Sequence, residues 1–152
     1  MRELSFAVPA DVPALCALER ECFAAPLPED RLARQVADPM RVFLCAKEDG
    51  VLLGAADFQF VLDEGYIGNV AVTASARRSG IGRALVEALL REAEARKLAF
   101  LTLEVRKSNA PARALYETCG FMTVGERKNY YEKPAENAIL MTRKFGIRNS
   151  EL

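Results

Sequence analysis

Residues 64–106 constrain the fold more than any other stretch. They read as a strand, "EGYIGNVAV", a turn carrying two glycines, "RRSGIGR", a helix, and a second strand, "AFLTLEV". The helix is expected from about Gly80 to Lys97, because Ile81, Leu85, Ala88, Leu89 and Ala93 recur on one face at helical spacing. An amphipathic helix set between apolar strands must bury its stripe against a sheet.

The flanking segments extend that pattern. "LSFAVPA" reads as a short first strand. Asp11 is placed to cap a helix with Pro13 in its first turn, and Val12, Leu15, Cys16, Cys22 and Phe23 supply the stripe. "APLPEDRLARQVADP" gives a second helix, opened near Pro28 and stopped before Pro39. "RVFLCAKEDGVLLGAADFQFV" is two apolar runs broken by Asp49-Gly50, a strong hairpin signal. Gly68 marks a bulge or a close approach in the next strand. Asn109 caps a short helix that has Pro111 in its first turn and ends at Gly120. "FMTVGERK" and "AILMTRKF" are two last strands joined by the polar loop "NYYEKPAEN". The expected order is strand, two helices, three strands, helix, strand, helix, two strands. That predicts a mixed α/β architecture, with a central sheet covered by helices on both faces, in one domain spanning residues 1–152.

Composition removes several kinds of function. Lys plus Arg number 21 and Asp plus Glu number 21, so the net charge is zero. No global field draws such a chain to nucleic acid or to a membrane surface. No apolar run is long enough to span a bilayer, and the first residues lack the apolar core of a secretory signal. There is no histidine. Histidine-dependent serine or cysteine triads are therefore excluded. A zinc site would need Cys16, Cys22, Cys45 and Cys119, which are scattered without metal-like spacing. Reduced, mostly buried thiols in a cytoplasmic protein are expected, with no metal.

The turn Arg77-Arg78-Ser79-Gly80-Ile81-Gly82-Arg83 follows a strand and opens a helix. Free backbone N–H groups and the helix dipole favour an anion there, and glycines let the backbone approach it closely. The segment is neither a Walker loop nor a complete G-x-G-x-x-G. Taken alone, it fits a plain helix start as well as a phosphate cradle.

The surrounding residues resolve this by resemblance. The pattern [QR]-x-x-G-x-G/A, with the preceding "NVAV" and the following "LTLEVRKSNAPARALYETCGF", resembles the GCN5-related N-acetyltransferase (GNAT) superfamily. Together with "ERKNYY…ENAILMTRKF", the chain is similar to the ribosomal-protein-alanine N-acetyltransferase (RimI-like) family, best over residues 69–145. The resemblance implies the acyl-CoA N-acyltransferase fold, with a mostly antiparallel central sheet. It also implies acetyl transfer from acetyl-CoA to an amine, the N-terminal alanine amine of small-subunit ribosomal protein eighteen. Arg77 through Arg83 would hold the diphosphate. The backbone of Val70, Ala71 and Val72 would hold the pantetheine arm, and Asn109 would reach the cofactor as well as cap its helix. Glu104 maps onto the family's proton acceptor and Tyr116 onto its proton donor.

The residues themselves suit these roles. Glu104 is the single acid of an apolar strand, where desolvation would raise its pKa and make it a better base. The alternative is a structural ion pair with Arg106 or another cation. Tyr116 can protonate a thiolate, or it can be a core tyrosine. Tyr130 and Tyr131 are expected in the last hairpin loop, shaping the substrate groove. Cys119, beside a helix-ending glycine and without a partner base, is a poor nucleophile. The chain departs from the family at Leu27, where an aromatic residue is usual, at Gly68, and at Asn137. Two other functions stay open: acetylation of a different amine, and a non-catalytic acyl-CoA-binding regulator. A monomer or weak dimer is expected.

Overall fold

The computed structural model describes residues 2–146. Its elements are β1 (Arg2–Phe6), α1 (Val12–Cys22), α2 (Glu29–Ala37), β2 (Arg41–Glu48), β3 (Val51–Val61), β4 (Glu64–Val72), α3 (Ile81–Ala95), β5 (Phe100–Arg106), α4 (Ala110–Thr118), β6 (Met122–Tyr131) and β7 (Glu136–Lys144). This is the order expected from the sequence. The strands form one seven-stranded sheet in the order β1-β2-β3-β4-β5-β7-β6. Every neighbouring pair is antiparallel except β4 and β5, which run parallel.

Strand periodicity divides the core in two. Val42 and Leu44 of β2 point to the face covered by α3 and α4, where they meet Phe58, Leu85, Leu89 and Leu101. Phe43 and Cys45 point to the face covered by α1 and α2, where Leu15, Leu18 and Leu32 pack on Ala55 and Ala71. The β2–β3 hairpin turns at Asp49 (φ 52°) and Gly50 (φ 81°), both left-handed. This is the two-residue turn that matches strand twist.

Two irregularities prepare the site. β4 and β5 pair only from Glu64–Tyr66 against Phe100–Thr102. Past Tyr66 the strands part and leave a cleft through the sheet. On its other edge β4 is bulged: Ala56 faces Val70 and Phe58 faces Ile67. Asp57 therefore lies opposite two residues, Gly68 and Asn69. Gly68 is the bulge residue expected from the sequence.

Two local expectations are corrected. Asp11 stands at the N-cap of α1, but its side chain makes no cap bond. Its carboxylate instead accepts from the Val8 amide at 2.9 Å and pairs with Lys47 at 2.6 Å. The preceding 3-10 turn at Pro9–Asp11 takes up the start of the helix. β6 also runs on to Tyr131, so Tyr130 and Tyr131 lie in the strand, not in the loop. A register shift between Arg127 and Tyr131 accommodates the extension. It is held by the Asn129 amide, which donates to the Asn137 side chain at 2.9 Å.

Candidate active site

The cleft between β4 and β5 opens into two grooves. One, of about 530 Å³, is lined by Val72, Arg77, Arg78, Gly82, Pro111 and Leu115, among others. The second, of about 440 Å³, is lined by Gly68, Asn69, Glu104, Arg106, Tyr130 and Tyr131, among others. Cys22, Phe23, Val70, Asn109, Ala112 and Tyr116 belong to both. The two grooves therefore meet, and Tyr116 stands at the junction.

The first groove ends at the glycine turn. Gly80 is the N-cap of α3 with φ +85°, a left-handed conformation that L side chains rarely adopt. No side chain caps this helix, and its first intrahelical bond is Ala84 N–H to Gly80 C=O at 3.0 Å. The amides of Ile81, Gly82 and Arg83 thus have no acceptor within the helix. Ile81 is buried, so its side chain anchors the turn while its amide remains at the helix start. A Cβ at Gly82 would sit 3.6 Å from Leu115, an ordinary contact, so packing alone does not demand glycine there.

The cations around the turn have distinct partners. Arg77 Nε donates to the Val72 carbonyl at 2.9 Å, and its Nη2 lies 3.7 Å from Cys22 Sγ. Arg83 pairs with Glu87 at 3.0 Å on the helix surface. Ser79 Oγ donates to the Ala76 carbonyl, and Arg2 donates to the Ser79 carbonyl at 3.2 Å. Arg78 has left-handed φ (64°) and no hydrogen-bonded or ion-pair partner among the described residues. Just past β4, the Thr73 amide donates to the Leu53 carbonyl of β3 at 2.8 Å. Strand alternation directs Ala71's backbone groups the same way and those of Val70 and Val72 into the cleft. The Val72 carbonyl is shared with Arg77, whereas Val70 offers its backbone to both grooves.

Glu104 does not have the buried position expected of it. Its side chain is 32% exposed, and Oε2 lies 3.7 Å from Arg127 Nε. The cause is alternation: Leu103 and Val105 point into the core, so Glu104 points the other way, into the second groove. Arg106, the cation expected beside it, is engaged elsewhere. It pairs with Glu136 at 3.2 Å, donates to the Glu132 and Pro134 carbonyls, and lies 4.4 Å from the centre of the Tyr131 ring.

Tyr116 is buried and packs edge-on against Phe121 at 5.6 Å. Burial, with smaller contributions from Tyr131 and Cys119, pushes its phenol well above the ordinary tyrosine range. It keeps its proton at neutral pH. Burial likewise pushes Tyr131 up to about 12. Tyr130 is nearly half exposed, and Arg127 approaches its ring at 5.7 Å. Asn109 accepts the Ala112 amide at 3.2 Å, which is the expected cap. Cys119 is buried, and burial raises its thiol. Arg127 was not among the residues singled out in the sequence; only the pairing of β6 beside β7 brings it to Glu104.

Known proteins resemble this chain in sequence and fold. The model of the acetyltransferase (GNAT) family matches residues 12–121. The chain therefore belongs to the GNAT family of acetyltransferases. The ribosomal protein bS18-alanine N-acetyltransferase of Escherichia coli strain K12 is 39% identical over 143 residues, covering 93% of this chain and 96% of that protein. The crystal structure of the Escherichia coli ribosomal-protein-S18-alanine N-acetyltransferase superposes with a TM-score of 0.92 at 36% identity, over 100% of this chain and 99% of that one. An acetyltransferase from Salmonella typhimurium, solved with acetyl-CoA, shares the fold at 18% identity with a TM-score of 0.84, over 100% of this chain and 98% of that one.

Proposed function

We propose that this chain moves the acetyl group of acetyl-CoA onto the N-terminal α-amine of ribosomal protein bS18, whose first residue is alanine. The observation that carries the proposal is the meeting of two grooves at Tyr116, one ending in a helix start and the other holding a carboxylate. Acetyl-CoA takes the first groove. Its diphosphate lies against the free amides of Ile81, Gly82 and Arg83, where the helix dipole favours negative charge. Gly82 lets the backbone come close, and Arg78, which has no hydrogen-bonded or ion-pair partner among the described residues, supplies a cation beside it. The pantetheine arm runs along Val70 and Val72 as an added strand would. The peptide takes the second groove, between Tyr130, Tyr131 and the connection that follows Phe23.

The chemistry needs one proton removed and one supplied. An N-terminal amine has a pKa near ~8, so roughly a tenth is neutral at pH 7, whereas a lysine amine near ~10.4 is almost wholly charged. The neutral nitrogen attacks the thioester carbonyl. A C–N bond forms, the carbon becomes tetrahedral, and Glu104 accepts the proton released by nitrogen, directly or through water. The C–S bond then breaks, and Tyr116, held protonated by burial, gives its proton to the departing thiolate. The products are the N-acetyl peptide and CoA. The protein acts in the cytoplasm as a single catalytic domain, with no step that requires a metal.

The test is an acetyl-CoA-dependent mass gain on a synthetic peptide with the Ala-initiated bS18 N-terminus. A peptide blocked at its N-terminus but bearing an internal lysine serves as the control. Acetylation confined to the α-amine is expected. Acetylation of the lysine peptide alone, or of neither, would overturn the assignment.

A further inference from the structure

We propose that two buried carboxylates that touch neither substrate, Asp57 of β3 and Glu19 of α1, are positioning residues that hold the facing walls of the acceptor groove. The inference rests on the assignment of that groove to the peptide. Among the described residues the buried charged side chains are Asp11, Glu19 and Asp57. Asp11 is accounted for by Lys47 and by the Val8 amide. The other two sit together under the site.

Asp57 is 3% exposed and lies opposite the β4 bulge. A bulge leaves backbone groups without a strand partner. Asp57 Oδ1 accepts the Asn69 amide at 3.2 Å in place of such a partner. The carboxylate is also paired with Arg41, whose other terminal nitrogen donates to Gln59 at 2.8 Å. The fit on the bulge is close. A Cβ on Gly68 would stand 2.6 Å from Asp57 Oδ2, so only glycine lets the carboxylate rise under the strand. Gly68 and Asn69 line the acceptor groove and not the cofactor groove.

Glu19 performs the same service across the groove. Its Oε1 accepts the Leu27 amide at 2.9 Å, which fixes the α1–α2 connection. Phe23 opens that connection and lines the groove. Glu19 and Asp57 border one interior cavity of about 10 Å³ beneath Asn69. The bulge and the connection are therefore tied to carboxylates that border one small, mostly apolar cavity. The spacing between the two walls is set from inside the protein, and the peptide meets a groove already formed.

The experiment measures KM for the Ala-initiated peptide and for acetyl-CoA separately. Asp57→Ala and Glu19→Ala should each raise the peptide KM about tenfold, the scale of one lost hydrogen bond to a charged group. In Asp57→Ala the KM for acetyl-CoA should stay within about twofold, since Gly68 and Asn69 do not border its groove, whereas Phe23, on the Glu19 wall, borders both grooves. Asp57→Asn and Glu19→Gln, which keep an oxygen for each amide, should recover most of the loss. Gly68→Ala leaves every charged group in place and pushes directly on the carboxylate. It should raise the peptide KM in the native background and lose most of that effect beside Asp57→Ala. Amide exchange in the unliganded protein should quicken at Asn69 in Asp57→Ala and at Leu27 in Glu19→Ala. Equal changes in both KM values for Asp57→Ala, or unchanged peptide KM and unchanged exchange in either variant, would overturn the proposal. A wild-type protein that ignores the peptide would instead overturn the acceptor assignment, and the exchange measurements would still decide whether the carboxylates hold the two walls.

Discussion

Asp57 and Glu104 each interrupt an apolar strand, in "LLGAADFQF" and "FLTLEVR", yet the fold treats them in opposite ways. Asp57 is 3% exposed and tied to Arg41 and to the β4 bulge. Glu104 opens onto the second groove, the one proposed for the acceptor, with a longer contact to Arg127. The difference lies in the layers above them. β3 has helices on both faces, so either direction of its alternation is covered. The apolar cluster beneath α1 and α2 draws on β2, β3 and β4 and includes no buried residue of β5. Glu104 therefore faces the cleft, on the side those helices leave open. A carboxylate under two layers supports structure, and one beneath a single layer is available for chemistry.

The largest expected effect comes from the exposed acid. Glu104→Gln should lower kcat about 10²- to 10³-fold, the range of a lost general base. Tyr116→Phe should lower it by about 10²-fold for want of a proton donor. Steady-state rates at saturating acetyl-CoA check both. A normal kcat in Glu104→Gln would remove that residue from the mechanism and erase the contrast with Asp57.

Stability should rank the two acids in reverse. Asp57→Ala leaves Arg41 without its buried partner and should cost about 3 kcal/mol in urea unfolding. Glu104→Ala removes an exposed, long-range pair and should cost under about 1 kcal/mol. Equal losses would mean that burial does not divide their roles.

The smallest effect concerns pH. Burial raises the Glu19 carboxyl above its ordinary value, with the Leu27 amide offsetting part of the shift. Between the unfolded value of 4.5 and that raised value, the folded protein binds more protons than the unfolded chain. This residue's contribution is thus fully present below 4.5 and is lost as pH rises through the window. Glu19→Gln should flatten that decline in a denaturation series. Asp11, whose carboxyl is held low with Lys47 as its partner, contributes in the opposite sense and loses its contribution as pH falls.

Much of this was legible in the chain because the signals were local. Asp49-Gly50 needs no distant contact to turn a hairpin, Asn109 caps its own helix, and Ile81, Leu85 and Leu89 define a face by spacing alone. The glycine turn and Tyr116 were legible by resemblance and fall together in the structure. What escaped the sequence depends on register and layering. The exposure of Glu104 follows from which face of β5 remains uncovered. The contact of Gly68 with Asp57 follows from a bulge that sets one residue opposite two. Arg127 reaches Glu104 only because β6 pairs beyond β7 at the sheet edge. Asp11 carried the right signal for a cap, but Lys47, 36 residues away, claimed its carboxylate.

The central claim is that amine and thioester meet across a shared junction at Tyr116, with both substrates bound together. Initial rates measured over a grid of acetyl-CoA and Ala-peptide concentrations test it most directly. Intersecting double-reciprocal lines are predicted, with no acetylated protein isolated when the peptide is omitted. Parallel lines, with an acetyl group retained on a cysteine, would contradict direct transfer and with it the role assigned to Glu104.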